Sequence, residues 1–183
     1  MKLALMYGAA MAIAGAIFVL LLFFAGFHDS AAKLQSAQWI GIGGGLAIGV
    51  ACLALAMREK RAQFPAEEDW GYGSALGAGV LTALFGSLFG LVTSYAYFGI
   101  INPGFGDLAL QAQLTAMEAK GMPADQVEKF EPMIRPWMTP VAMTLTQGLF
   151  GMIFSTLLSL VVAIFFRQRT PAASELGTPP IVS

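Results

Sequence analysis

Residues 75–103 read ALGAGVLTALFGSLFGLVTSYAYFGIINP, and this stretch decides the fold. It contains no charged residue, and its apolar part, residues 75–101, would span ~40 Å as a helix against ~30 Å of bilayer hydrocarbon, so it must tilt or project. Asn102-Pro103 stops it, because proline cannot continue a helix. Gly79, Ala83, Gly86, Gly90 and Ser94 recur at helical spacing and share one face. Such a face lets a second backbone come close, which is how helices associate in lipid.

Three more apolar runs flank this one, at about residues 3–27, 36–57 and 139–166. Together they predict an all-α integral membrane protein: four transmembrane helices in one bundle over residues 1–169, with a helical hairpin at 103–138 and a disordered cytoplasmic tail at 170–183. The composition agrees. Charged residues are 11% of the chain, where a soluble domain carries about 25%. A net charge of -1 without a basic cluster gives no case for nucleic acid. Cys52, the single cysteine, excludes an intrachain disulfide, and one His with one Cys cannot build a zinc site. The first run is too long for a signal peptide's apolar core and lacks a cleavage site, so it reads as a retained span.

The second run carries Gly41, Gly45 and Gly49 four apart, and the fourth carries Thr144, Gly148, Gly151, Ser155 and Ser159. The latter stripe is the natural partner of the one on the third run. A broken helix around a substrate would also be glycine-rich, but no intramembrane charge accompanies these glycines. Gln147 is the most polar side chain within a span, expected to bond across helices rather than to touch a substrate. His28-Asp29 could handle protons; a solvated helix end is the plainer reading. Glu67, Glu68 and Asp69 could hold a cation; an acidic helix start is plainer, with Pro65 introducing a short interfacial helix and Trp70 and Tyr72 at the headgroups.

In the hairpin, residues 107–120 place Leu110, Leu114 and Met117 on one stripe before Gly121. Pro123 then opens a second helix with Val127, Phe130, Ile134 and Trp137 on its apolar face, which Pro132 and Pro136 bend or end early. These residues form a cap on the bundle or a partner surface. Arg58, Lys60, Arg61, Arg167 and Arg169 abut spans on the side of the termini, so that side is expected to be cytoplasmic and the hairpin outside, in a bacterial inner membrane.

Several features resemble the bacterial family known as domain of unknown function 4199. They are Met1-Lys2 with Tyr7-Gly8, the acidic residues and glycine before the third run, Tyr97-Phe98-Gly99-Ile100-Ile101-Asn102-Pro103, the Gly121-Met122-Pro123 break, and Pro140. The resemblance covers nearly the whole chain and implies a four-helix membrane protein; it supplies no activity or catalytic residue.

Three functions compete. A structural, assembly or interaction subunit, with the lipid bilayer and another membrane protein or itself as partners, leads because packing faces abound and no cofactor, metal or catalytic set is expected. A small transporter or channel would need a polar path, available only if a homo-oligomer gathered Ser87, Thr93, Ser94, Thr144 and Gln147. A lipid-modifying enzyme is last, because His28, Asp29, Asp107, Asp125, Glu128 and Glu131 have no diagnostic spacing.

Overall fold

The structure is a computed structural model that describes residues 1–65 and 68–167. Its elements are all helical: α1 (Lys2–Phe24), α2 (Ala31–Arg61), α3 (Tyr72–Ala96) continued by a π turn (Tyr97–Ile101), α4 (Phe105–Ala119), α5 (Ala124–Ile134), a 3-10 turn (Arg135–Met138) and α6 (Pro140–Phe166). Four of them, α1, α2, α6 and α3 with its π turn, are long and apolar enough to cross a membrane. The tail at 170–183, with Glu67 and Arg169, lies outside the described residues.

Local chemistry explains where the helices end. α1 stops at Phe24, before the expected residue 27, because Gly26 turns left-handed (φ 76°) and the Phe27 N–H closes back on the Leu22 carbonyl at 3.0 Å. α2 begins at Ala31, five residues earlier than expected, because Ser30 caps it: its Oγ accepts from the Lys33 N–H at 3.4 Å. At the far end α2 continues to Arg61, with Arg58, Lys60 and Arg61 in a last turn whose dipole favours cations. Thr139 caps α6 through the Ala142 N–H, and Pro140 sits in the first turn, where its missing donor costs nothing.

α3 is the hub. It packs along α1 on one side and α6 on another, and α2 lies against all three. Lipid is as apolar as leucine, so what holds such helices is close contact rather than escape from water. A close approach to backbone joins Gly8 of α1 to α3: a Cβ on Gly8 would stand 2.7 Å from the Gly86 backbone nitrogen. On the α6 side, a Cβ on Gly79 would meet Ser159 Oγ at 2.9 Å and the tip of Met57 at 2.4 Å, and Gly148 lies under Leu91. Ser159 and Thr82 are fully buried, and each returns its hydroxyl proton to its own helix, to the Ser155 and Ala78 carbonyls.

This geometry corrects the pairing of stripes expected from sequence. The stripe on α3 is shared: Gly79 serves α6 and α2, Gly86 serves α1, and Gly90 has nothing within 4 Å of where a Cβ would be. Gly151 is exposed with no neighbour at that range, so it makes no close approach to α3. Of the three α2 glycines spaced four apart, only Gly49 meets another helix, at Leu158 of α6, while Gly41 and Gly45 face open space; Gly44, outside that stripe, lies against the Phe18 ring of α1. A three-to-four-residue spacing names a face, and a face one residue wide can touch two neighbours in turn.

Trp70 is corrected too. It is not a headgroup anchor: it is 1% exposed, edge-on to Phe64 at 5.0 Å, in a core with Leu53, Met57, Val162 and Ala163. No helix covers residues 68–71, so the short interfacial helix expected there does not form on the described residues. The chain instead folds back under α2 and plugs the end of the bundle that carries the termini.

Candidate functional site

At the opposite end, the sequence places a cluster that composition alone did not reveal. Asn102 precedes a proline and is pushed out of the helical region (φ −134°, ψ 68°). Its N–H then reaches back five residues to the Tyr97 carbonyl at 2.7 Å, which makes the last turn of this span a π turn. Such turns widen the helix and are frequent at functional sites. Here the widening turns Tyr97 and Phe98 inward, where both are buried. The last turn of α1 supplies Phe23, the turn between α1 and α2 supplies His28, and the start of α4 supplies Phe105. His28 and Phe105 rings are 5.2 Å apart, Phe98 and Phe105 5.3 Å, and Phe23 and Tyr97 6.0 Å edge-on.

Three polar side-chain atoms of this cluster are joined. Asn102 Nδ2 donates to Tyr97 Oη at 3.1 Å, and the Tyr97 hydroxyl also hydrogen-bonds His28 Nδ1. The phenol can donate to an unprotonated Nδ1 or accept from Nδ1–H with its second lone pair, so the bond forms with either tautomer of His28. Burial pushes the His28 pKa below its ordinary value, and neighbouring Asp29 opposes this in part. The imidazole is therefore neutral at physiological pH. Asp29 pairs with Lys33 at 3.8 Å and is exposed, so His28 works with Tyr97 rather than with Asp29. The plainer reading of His28 as a solvated helix end does not hold. YFGIINP carried the signal, but nothing in the spacing linked residue 97 to residue 28.

This aromatic cluster forms part of the roof of a cavity of about 1500 Å³ between α1, α2, α3 and α4. The cavity opens beside the first half of α2, where Gly41 and Gly45 meet nothing, although Ala37 there is buried and Gly44 lies against the Phe18 ring of α1. α4 packs against α2 and lines one side of this open space with Ala109, Ala112 and Ala116. Five polar lining residues, His28, Gln35, Gln38, Gln113 and Lys120, belong to the hairpin end, and no Asp or Glu lines the space. The deeper walls are apolar: Ala12, Gly15, Ala16, Gly45 and Ile48. Gln147 also borders the cavity, and among the described residues no protein group bonds its amide; the cross-helix bond expected for it is not made. Of the other polar residues considered for a pore, Thr93 and Ser94 border the same space, while Thr144 is buried and Ser87 is not on it, so the five share no surface within one chain. A smaller cavity of about 260 Å³ lies at the other end, between Lys2, Lys60 and Thr82. Among the described residues no group of three or more His, Cys, Asp or Glu is placed to hold a metal ion.

The hairpin splits its apolar residues between two fates. Leu110 of α4 and Val127 of α5 are buried, and Leu114, Met117 and Ile134 are half-buried. Phe130 is 40% exposed and Trp137 65%, although both lie on the same stripe as Val127. Met133 beside them is 67% exposed. Arg135 fastens the fold, bonding Glu131 at 2.7 Å and reaching Asp107 of α4 at 3.6 Å. The base of the hairpin is tighter still, because a Cβ on Gly106 would stand 2.1 Å from the Met138 carbonyl oxygen.

The family described as Protein of unknown function (DUF4199) has a family model that matches residues 6–168, and the chain belongs to it. No curated protein and no solved structure matches the chain.

Proposed function

We propose that this member of a family of unknown function is a structural, assembly or interaction subunit of a complex in a bacterial inner membrane. Its termini lie in the cytoplasm, and its hairpin docks another membrane protein or a second copy of itself on the outer side. The observation that carries the reading is the unfinished stripe of α5. The hairpin is already held by Leu110, Val127, Arg135 and Gly106, yet Phe130, Met133 and Trp137 stay exposed. Aromatic and methionine side chains left over after a fold is complete are what interface centres are made of. The orientation rests on Lys2, Arg58, Lys60, Arg61 and Arg167, which flank spans at the end opposite the hairpin.

The test is the mass of the particle extracted in mild detergent. The wild-type chain should run well above the 19.3 kDa of one copy plus its detergent. Phe130→Ser with Trp137→Ser should collapse it to the monomer while the thermal midpoint of the bundle stays put. Leu110→Ser, a buried control, should lower that midpoint. A wild-type monomer, or a Phe130→Ser/Trp137→Ser variant that keeps its partner, sinks the reading.

A further inference from the structure

The cavity under the His28–Tyr97–Asn102 roof serves no contact described so far, and its shape and lining specify an occupant. We infer that it binds one phospholipid, with hydrocarbon lying between α1, α2 and α3 and the headgroup under α4 and the roof. Three observations support this, none of which involves the hairpin's outer face. The first is size: about 1500 Å³ exceeds the ~300–1,000 Å³ of sites for compact small molecules. The second is the gradient along the space. The deep walls come from mid-span residues such as Ala12, Gly15, Gly45 and Ile48, whereas His28, Gln35, Gln38, Gln113 and Lys120 gather at the hairpin end, with Thr93, Ser94 and Gln147 between the two, as an amphiphile requires. The third is the character of that polar end. Gln35, Gln38, Gln113 and Lys120 offer donors, and no carboxylate lines the space. Donors without a carboxylate suit a head rich in acceptor oxygens, as phosphate and ester groups are, and a cationic head would find no counter-charge.

The glycines make the inference testable. Gly15, Gly41, Gly45 and Gly90 line the space from three helices, and a Cβ on any of them would meet no atom within 4 Å. A larger side chain there fills the cavity without displacing protein, and replacing a mid-helix glycine favours the helix.

The full-length protein is reconstituted in phosphatidylethanolamine–phosphatidylglycerol vesicles carrying a trace of phosphatidylglycerol with a diazirine in its acyl chain, irradiated, and its cross-links mapped by mass. Labelling should concentrate on the peptides around Gly15, Gly45 and Gly90, in excess of lipid-facing Leu145 and Phe165. Gly45→Phe with Gly90→Leu should cut the cavity labelling about tenfold, the loss of burial of a couple of methylene groups, and leave labelling at Leu145 and Phe165 unchanged. Gly41→Leu alone is the second variant, read the same way if the double variant loses its thermal midpoint. A cationic trimethylammonium probe with the same diazirine chain should label the cavity several-fold less. Uniform labelling that the filling variants do not change would mean annular lipid only and overturns the site. Equal cavity labelling by the two probes overturns the assignment of the headgroup.

Discussion

Tyr97 Oη holds Asn102 and His28 at once, and so ties the end of α3 to the turn between α1 and α2. Removing that oxygen leaves a half-buried amide donor and a ring nitrogen without that partner, so Tyr97→Phe is expected to cost about 1 kcal/mol, read as a lower thermal midpoint in detergent. The same bond predicts a pH response. Unfolded, His28 takes its proton near pH 6.5; folded, burial delays protonation to lower pH. Unfolding in that window takes up a proton, so stability should fall as pH drops below about 6.5 and stop falling on this account once the folded ring is protonated too. Comparing midpoints of the wild type with His28→Asn across that range isolates the term, since the variant cannot titrate there; parallel curves would mean that His28 contributes nothing. None of this was legible from the sequence, where a single His among solvated neighbours gives no hint that a tyrosine sixty-nine positions away lies against it.

Helices in this chain depend on which neighbour a glycine admits. Gly8→Ala would put a methyl against the Gly86 backbone, which cannot step aside as a side chain can. We expect α1 to be pushed off α3 at a cost of about 1–3 kcal/mol, whereas Gly151→Leu should leave the thermal midpoint unchanged. Gly106→Ala meets the Met138 carbonyl in the same way and should loosen the base of the hairpin, seen as faster hydrogen exchange in α4 and α5 while the four long helices keep their protection. The four long helices were legible because a run of apolar residues as long as a bilayer is thick has few other readings. The short helices were legible from Gly121, Pro123 and their apolar stripes. Partners were not, because spacing fixes the direction in which Gly86 and Gly151 point and leaves open which helix stands there. Trp70 misled for a related reason: tryptophan is at home both at headgroups and in a core, and only the fold-back after α2 decides between them.

For the molecule as a whole, the proposed orientation has a direct test. With Cys52 replaced by Ala, single cysteines at Ala124 and Gln63 sit on exposed positions at opposite ends of the bundle. A membrane-impermeant thiol reagent applied to spheroplasts should label Ala124→Cys and spare Gln63→Cys, and the reverse would invert the topology. The hub position of α3 also sets a timetable for the ribosome. About 50 residues separate the end of α1 from the start of α3, several seconds of synthesis at roughly 5–20 residues per second. Throughout that interval Gly8 has been delivered to the bilayer while Gly86, the backbone it is shaped for, has not yet been made. α1 and α2 must therefore wait as a loosely mated pair, and the third helix to emerge is the one that sorts its elders into place. A chain truncated after Ile101 should already protect α1 from protease, whereas one truncated after Arg61 should not.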